Sequence, residues 1–511
     1  MNRRIFLAID DLSLPLRRSL CLHLTRPNIR TEPVLSPRRN NPASPDQLAA
    51  LFYGTVLHEG GKYRMWYHAV AKGIDTTLPP KLKIQLNPKS TLDMSTGPIC
   101  YAQSDDGIHW ERPELGLCHY KGKTNTNALS LDLATTIGAA ILRDDLDPDH
   151  LRRYKAVFNY YDYQPGSTPA EQWGAMRTAT SPDGLNWTTG GRDPIGTFFE
   201  ANGFYRFNNQ YIVIGQKTSP FTLSEGAHPS GRQAYAHLST DFNHWEAAQA
   251  DAFLLPEPLN PEDRGIFKPY DQVHVGIGAA VYDNVTVGLY GLWHNLPDFG
   301  QIGCDLGLVI SNDGIHYREP AKGIPFIRQE DSPLITTHGL PTKLTQGNGI
   351  LNVGDQTLIY HGRWTEGRMA DKCSESTGWG FHPEFLDDYF SEIALASIDR
   401  DRWGAMALYP DQSEGYVWSM PIRLPDNPRD FKVTLNATGV AGLSVDLAGE
   451  DFQPIAQFQG GRCSGGDSLD AEVRWDGPIS MIAGHTIRLR IRFSRTNSTD
   501  PRLYAINLIG V

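Results

Sequence analysis

The segment Ser104-Asp-Asp-Gly-Ile-His-Trp110 decides the fold, because its pattern Ser-x-Asp-Gly-x-x-Trp returns along the chain. In this pattern an Asp side chain caps the turn, Gly tolerates a positive φ, and the ring three residues later packs between neighbouring sheets. Each copy therefore predicts a β-hairpin. Five copies, spaced 58 to 86 residues apart, begin at Ser104, Ser181, Ser239, Ser311 and Ser397 and end at Trp110, Trp187, Trp245, Tyr317 and Trp403.

Apolar runs rich in β-branched and aromatic residues surround the five hairpins and predict strands. These runs are 63–70, 154–161, 211–215, 285–293 and 357–361. Hairpins that repeat at irregular spacing are typical of four-stranded propeller blades with variable loops. The sequence therefore predicts an all-β protein whose residues 1–420 form a five-bladed β-propeller.

The pattern changes after Met420, where Pro421, Pro425 and Pro428 precede short strands without the hairpin motif. In the segment 487–493, four apolar residues alternate with three arginines, the period-two pattern of a half-buried strand. We therefore expect a C-terminal β-sandwich over residues 421–511, with the arginine row on its solvated face.

Composition limits the classes of partner. The 511 residues include 47 Lys and Arg against 58 Asp and Glu, a formal net charge of −11, which argues against nucleic acid or an anionic membrane surface. No apolar stretch approaches the roughly 20 residues of a membrane span, and the apolar run at the N-terminus is too short for a signal peptide. The six cysteines show no CxxC or Cys/His spacing. We expect a cytoplasmic protein with no metal or cofactor; nothing indicates its oligomeric state.

A propeller brings the innermost strand of every blade to one central channel, so a ligand at its mouth can touch all blades. Hydrolysis of a glycosidic bond needs two carboxyl groups there, one as proton donor and one as nucleophile or base. Acids that begin a blade are therefore the candidates.

The hairpin motifs and the strand Gly61-Lys-Tyr-Arg-Met-Trp-Tyr67 resemble the five-bladed propeller glycosidases of glycoside hydrolase families 32, 43 and 68, in particular a family 32-like bacterial branch. The resemblance covers most of residues 1–420 and implies one acid in each of the first three blades. Arg143-Asp144 resembles the family's Arg-Asp element, which implies that Asp144 stabilises the transition state. Glu200, before Ala201-Asn202, resembles the acid of the Glu-Cys-Pro element, which implies a general acid/base.

Blade one departs from the family pattern. The family motif would place its nucleophile near Phe52, where the chain has no acid. Asp46 and Glu32 lie earlier in the chain, and Asp271 opens the fourth blade. These three residues remain alternatives for the nucleophile or base.

Aromatic and polar residues near blade ends are candidates for sugar contacts, because sugar rings stack on aromatic faces and hydroxyl groups need hydrogen-bond partners. The candidates are His274, His294, His338, His361, Arg363 and Trp364.

Three functions remain open. The first is a glycoside hydrolase that cleaves a small oligosaccharide or glycoside. The second is an inverting glycoside phosphorylase resembling family 130, which would need a phosphate-binding cluster such as Arg363, His361 and His338. The third is a propeller that binds glycan without chemistry, favoured by the missing blade-one motif. Three acids at one mouth would favour hydrolysis, and a single acid would favour binding.

Overall fold

A computed structural model describes residues 3–71, 98–131, 136–160, 175–192, 194–195, 199–217, 233–253, 272–294, 303–332, 334, 339, 341–365, 390–427, 431–463 and 466–510. Helix in these ranges is limited to short 3-10 turns at His150–Arg152, Gln329–Asp331, Val440–Gly442, Ala456–Phe458 and Ile479–Ile482. The predicted all-β class is therefore confirmed. No helix in the described part of the chain has the length and apolar character to cross a membrane.

The strands are numbered in chain order. Before residue 300 they are β1 (Arg3–Leu7), β2 (Leu16–Arg18), β3 (Leu20–Leu24), β4 (Asn28–Ile29), β5 (Ala49–Glu59), β6 (Lys62–Val70), β7 (Ile99–Ser104), β8 (Thr136–Arg143), β9 (Tyr154–Tyr160), β10 (Ala175–Ser181), β11 (Thr188–Arg192), β12 (Glu200–Phe207), β13 (Gln210–Lys217), β14 (Gln233–Ser239), β15 (Glu246–Ala247), β16 (Gln272–Tyr282) and β17 (Val285–His294). After it they are β18 (Gly303–Ser311), β19 (Pro325–Ile327), β20 (Lys343–Thr345), β21 (Ile350–Val353), β22 (Gln356–Thr365), β23 (Phe390–Asp399), β24 (Gly404–Leu408), β25 (Glu414–Trp418), β26 (Ile422–Arg423), β27 (Lys432–Thr438), β28 (Leu443–Gly449), β29 (Gly461–Cys463), β30 (Ser468–Arg474), β31 (Thr486–Ser494) and β32 (Arg502–Ile509).

Five antiparallel runs follow one another along the chain. We call them unit 1 (β5–β7), unit 2 (β8–β11), unit 3 (β12–β15), unit 4 (β16–β19) and unit 5 (β20–β23, with β4 on its outer edge). Units 2 and 3 are separate four-stranded sheets. Units 4, 5 and 1 belong to one longer curled sheet, joined by the single parallel pairings of Cys304 with Lys343 and of Ser391 with Ala49.

The first four hairpin motifs follow the third strand of their units, and their aspartates cap the turns as predicted; in the fifth, Asp399 ends β23 and accepts from Arg402 Nη1 (3.0 Å) instead. In the first copy, Ser104 Oγ accepts a hydrogen bond from Gly107 N (2.9 Å), and Asp106 Oδ1 accepts from Ile108 N and His109 N (2.8 Å each). The corresponding Ser and Asp bonds are present in the second, third and fourth copies. These bonds span at most three residues, which explains why the motif is visible in the sequence.

Each hairpin also contacts the preceding unit, and the first hairpin contacts unit 5. Hydrogen bonds join Trp66 Nε1 to Gly184 O (2.8 Å), Arg152 Nη2 to Asp241 O (3.3 Å), Tyr205 Oη to Gly314 O (2.6 Å) and Tyr360 Oη to Gly107 O (2.8 Å), and the ring of Trp403 lies 5.6 Å from that of Phe326. Five buried apolar clusters lie at the same five unit boundaries.

The first strands of units 1 to 4, β5, β8, β12 and β16, together with residues 343–353, are called here the central strands. Asn348 ties three units together, because its backbone N donates to Gly54 O (2.9 Å) and its side-chain Nδ2 donates to Phe204 O (2.8 Å). A Cβ added to Gly278 would lie 2.1 Å from Gly347 O, so the backbones of units 4 and 5 are in direct contact. The space between the central strands is therefore filled by protein atoms about halfway along these strands.

The strands beyond β23 share sheets with the first three strands of the chain. The strand order is β2-β25-β31-β28-β29-β30-β27-β32-β24-β3, with β1 beside β32 and β26 beside β31. A common apolar core includes Val445 and Ile491 from one part of this path and Leu435 and Ile506 from the other. These pairings extend the C-terminal unit beyond the predicted range 421–511, because residues 3–24 and 404–418 belong to the same sheets.

Candidate functional site

The central strands carry irregularities close to their N-terminal ends. The register shifts between Leu51 and Thr55 in β5, Ile137 and Ala139 in β8, Ala201 and Gly203 in β12, and His274 and Ile277 in β16. Bulges redirect side chains and are frequent next to functional sites. Four of them at the same end make this end the candidate site.

Tyr53 lies across the centre at this level. A Cβ added to Gly138 in unit 2 would lie 3.0 Å from the Tyr53 Cβ, whereas the Tyr53 hydroxyl is 2.8 Å from His274 Nε2 in unit 4. The ring therefore extends from the side of unit 2 to unit 4. It is 9% exposed and forms the floor of the site.

One wall of the site is aromatic. The His274 ring stacks on Trp293 at a centroid distance of 4.3 Å with 17° between the planes, and Trp364 lies 6.3 Å away at 26°. Lys343 is buried, with Nζ 5.5 Å from the centre of the Trp364 ring. Stacked rings beside a buried cation form a firm apolar surface with a polar edge.

Glu200 is held on the wall formed by unit 3. Gln216 Nε2 donates to the Glu200 carboxylate, and Gln216 Oε1 accepts from Val275 N (2.7 Å) at the beginning of β16. Because Val275 follows His274 directly, this bridge places the carboxylate side of the site next to the aromatic side. Glu200 is partly buried.

Two buried amides beside Glu200 have unused hydrogen-bonding groups. Asn159 Oδ1 accepts from Ala201 N (2.7 Å), but its Nδ2 has no partner among the described residues. Asn202, the extra residue of the β12 bulge, is 3% exposed, and neither side-chain atom has a partner in the described part of the chain. A buried amide without partners costs about 1–3 kcal/mol, so these groups are suited to a polar ligand.

Asp144 lies at the opposite end of the central strands. Arg206 donates to Asp144 Oδ1 (2.9 Å), and Arg206 is six residues beyond Glu200 along β12. At about 3.3 Å per residue, the ends are about 20 Å apart, whereas a pair of catalytic carboxyl groups needs about 5–9.5 Å. Asp144 also accepts from Lys155 Nζ (3.1 Å) and from Tyr211. The predicted partnership of Glu200 and Asp144 is therefore not formed.

Asp46 is enclosed in a charged network. It is fully buried, accepts hydrogen bonds from Arg38 Nε (2.8 Å), Tyr67 Oη (2.8 Å) and Ser44 Oγ, and forms an ion pair with Arg112 (2.8 Å). Burial disfavours the charged form, but Arg112 and Arg38 outweigh it and lower the pKa of Asp46. Both oxygens are occupied, so the network accounts for this residue structurally. Glu32 is exposed and lies 3.9 Å from Arg30, away from the central strands.

Two of the three residues suggested for phosphate, Arg363 and His361, are buried. The buried Arg363 donates to Thr31 O (2.7 Å), to Arg30 O and to Glu392 (3.3 Å). Burial, assisted by Arg363, lowers the pKa of His361 to about 3, so its ring is neutral at pH 7. Arg363 Nε and His361 Nε2 have no partner among the described residues, but both side chains are buried and Glu392 already balances the charge of Arg363, whereas an anion needs accessible donors and positive charge.

Three further candidates are not located by the structure: Asp271 and His338 lie outside the described residues, as does the side chain of His294. Of the predicted substrate-binding residues, His274 and Trp364 come together at the site. The described residues contain no group of three or more His, Cys, Asp or Glu placed to hold a metal ion.

Sequence reasoning missed Tyr53, Gln216 and Asn159. Each lies in a strand whose pattern indicates burial but not direction. The signal that was available is the glycine close to the bulge in each central strand, such as Gly54 after Tyr53 and Gly203 after Asn202, because glycine marks bulges and close backbone approach.

No family model matches the sequence, and no curated protein matches it. The structure is similar to a glycosyl hydrolase from Bacteroides ovatus, with 14% identity over 75% of this chain and 95% of the other and a TM-score of 0.43. It is also similar to a β-1,2-mannobiose phosphorylase from Listeria innocua in complex with β-1,2-mannobiose. The identity is 12%, the match covers 73% of this chain and 97% of the other, and the TM-score is 0.44. A third similar structure comes from the GH130 family of mannoside phosphorylases, which is described as containing hydrolases of β-1,2-mannosidic linkages in Candida mannan. The identity is 14%, the match covers 74% of this chain and 94% of the other, and the TM-score is 0.41. TM-scores below 0.5 carry no conclusion about this chain.

Proposed function

We propose that this chain is a five-bladed β-propeller glycoside hydrolase, with a C-terminal β-sandwich, that binds a sugar at the N-terminal end of the central strands. Glu200 is its general acid. The observation that carries the proposal is the combination of this carboxylate with two buried, unsatisfied amides and an aromatic wall.

The cyclic order of the contacts supports a propeller. Each hairpin bonds or packs against the preceding unit, and the first returns to unit 5 through Tyr360 and Gly107. A row of sheets closed in this way has no open edge between its first and last members. Five units then correspond to five blades.

The chemistry of the site supports a carbohydrate ligand. Sugars present apolar C–H faces together with many hydroxyl groups that both donate and accept. The partly exposed Trp364 offers a face for stacking, and Asn159 and Asn202 offer donors and an acceptor. A small concave site with an apolar wall and a few polar groups is the usual form of a small-molecule site.

Hydrolysis further requires a second group at the anomeric carbon. Asp271, the residue before Gln272 at the start of β16, remains a predicted candidate for it. Of the cluster suggested for the phosphorylase alternative, Arg363 is paired with Glu392 and burial keeps His361 neutral, which favours hydrolysis; His338 lies outside the described residues. Glycan binding without chemistry would need Glu200 only as a hydrogen-bond acceptor. It is the alternative that the count of acids favours as long as Glu200 is the one acid placed at the site among the described residues, so the proposed hydrolysis depends on a second group.

The test compares Glu200→Gln with the native protein on a panel of oligosaccharides, with and without phosphate. Because proton transfer by a placed side chain contributes about 10²–10⁴-fold, the variant should lose about that factor in kcat while KM changes little. Glu246→Gln, an exposed glutamate of the same sheet, is the matched control and should keep full activity.

The reaction products separate the alternatives. Release of reducing sugar independent of phosphate supports hydrolysis, and a sugar phosphate formed only with phosphate indicates a phosphorylase. Saturable binding without any product indicates a glycan-binding protein and contradicts the proposed activity.

A further inference from the structure

We propose that Tyr53, paired with His274, is the nucleophile of this site and takes the place of a blade-one carboxylate. The inference rests on the proposed function and specifies its mechanism. It predicts a retaining reaction through a covalent glycosyl-tyrosine.

The first step of the argument is the position of Tyr53. Strand β5 has no acid from Ala49 to His58, and the acid that ends it, Glu59, lies at the far end with Arg64 (2.5 Å) and Arg143 (2.8 Å). The bulge of β5 places the Tyr53 ring across the floor of the site instead. A phenol oxygen is therefore the oxygen nucleophile that unit 1 provides here.

The second step is activation. A neutral phenol is a weak nucleophile and needs an adjacent base. The Tyr53 hydroxyl is 2.8 Å from His274 Nε2, within the range for proton transfer. Stacking on Trp293 (4.3 Å) fixes the imidazole plane, so its nitrogen stays directed at the phenol. A nucleophile, a base and an element that orients the base are thus present together.

The third step concerns the other carboxylates of the described residues, since a closer one would make Tyr53 unnecessary. Asp271 lies outside those residues, and a covalent label on it in the experiment below would assign the role to Asp271 instead. Asp46 has both oxygens bound by arginines, and Asp144 is about 20 Å away along the strands. Glu200 is linked to the backbone of the residue after His274 through Gln216, so a bound glycoside can lie between Tyr53 and Glu200.

In the first half of the reaction, the Tyr53 oxygen forms a bond to the anomeric carbon and its proton passes to His274 Nε2. The glycosidic C–O bond breaks as Glu200 gives its proton to the departing oxygen. In the second half, water attacks the anomeric carbon and gives a proton to Glu200, the bond to Tyr53 breaks, and His274 returns its proton to the phenolate. The net change is hydrolysis with retained configuration.

The experiment begins with a panel of 4-nitrophenyl glycosides of both anomeric configurations and the native full-length chain. For a glycoside that is cleaved, proton NMR gives the configuration of the first product. The 2-deoxy-2-fluoro analogue of the same glycoside is then used as a trap, and peptide mass spectrometry locates the label. We expect retention and a label on Tyr53.

Variants provide a second line of evidence. Tyr53→Phe should lower turnover by about 10³-fold or more and abolish labelling, as loss of a nucleophile does. Tyr416→Phe, in β25 of the C-terminal unit, is the matched control and should change neither. The trapping arm uses native protein, so it remains decisive even if Tyr53→Phe fails to fold.

The outcomes distinguish this inference from the proposed function. Turnover with inversion, a label on another residue, or full activity of Tyr53→Phe would overturn the role of Tyr53 and leave the hydrolase proposal standing. Absence of turnover across glycosides and oligosaccharides alike would overturn both.

Discussion

At the scale of single residues, Asp144 shows how a conspicuous acid can serve the fold. It accepts from Arg206 (2.9 Å), from the buried Lys155 (3.1 Å) and from Tyr211, and so joins units 2 and 3. Burial disfavours its charged form, but the bonds from Tyr211 and Lys155 outweigh burial and lower its pKa from 3.8 to about 2. Its charge is therefore part of a unit boundary.

Replacement of Asp144 by Asn should have a pH-dependent cost. Because the folded pKa lies below the unfolded value, the stabilisation is complete above about pH 4 and is lost as the pH falls towards 2. At pH 7 the variant should lose about 3 kcal/mol in the free energy of unfolding, since Arg206 loses its ion-pair partner and the buried Lys155 keeps only Asp147. Urea unfolding between pH 7 and pH 2 measures this difference.

The difference between native protein and Asp144→Asn should shrink as the pH falls from 4 to 2. Asp145→Asn is the control, because the neighbouring Asp145 side chain is 59% exposed and pairs at the surface with Arg143. It should cost less than about 1 kcal/mol at any pH. A constant difference for Asp144→Asn down to pH 2 would contradict the assigned role.

At the scale of elements, the turn glycines of three hairpins, Gly107, Gly184 and Gly314, meet the neighbouring unit. Gly184 has φ +76°, and a Cβ there would lie 2.9 Å from Trp66 Cζ2 and 3.1 Å from Arg64 Nη2. Gly116 has a similar φ of +68° with no atom within 4 Å of the added Cβ. The two glycines thus share backbone strain but differ in packing.

Gly184→Ala should therefore cost more than Gly116→Ala. Both substitutions lower the free energy of unfolding by about 1–2 kcal/mol, because alanine is strained in a left-handed conformation. Gly184→Ala lowers it by about 1–3 kcal/mol more, because its Cβ is overpacked against unit 1. The free energy of unfolding in urea gives both values. Equal losses would show that the hairpin does not press on its neighbour and would weaken the cyclic packing of the units.

The same elements show what a sequence can predict. The hairpin bonds span at most three residues, so the first four turns and the all-β class follow from local pattern. The contact of Tyr53 with His274 joins residues 221 positions apart, and no local rule marks it. Glu200 was predicted from a resemblance to known motifs, whereas its neighbour Gln216 depends on strand register. Asp144 begins a turn rather than a strand, and the sequence alone could not assign it to the far end.

At the scale of the whole molecule, β1 connects the two parts of the chain. It pairs with β32 across nearly the full sequence, with Arg3 opposite Ile509. Leu7 packs into the cluster of units 4 and 5 with Val287, and Phe6 packs into the C-terminal core with Leu508. A cut near Pro425 would therefore separate β1 and β24 from their neighbour β32, and β25 from its neighbour β31. We expect it to expose apolar surface in both parts.

Two adjacent substitutions in β1 test whether the molecule unfolds as one body. Phe6→Ala creates a cavity in the C-terminal core and should lower the free energy of unfolding by about 3–5 kcal/mol. Leu7→Ala creates a cavity beside units 4 and 5 and should lower it by about 2–5 kcal/mol. Because one strand carries both side chains, we expect calorimetry of the full chain to show a single transition that both variants lower. If the native chain instead melts in two steps, with Phe6→Ala lowering one and Leu7→Ala the other, the two cores are independent, and β1 only links them.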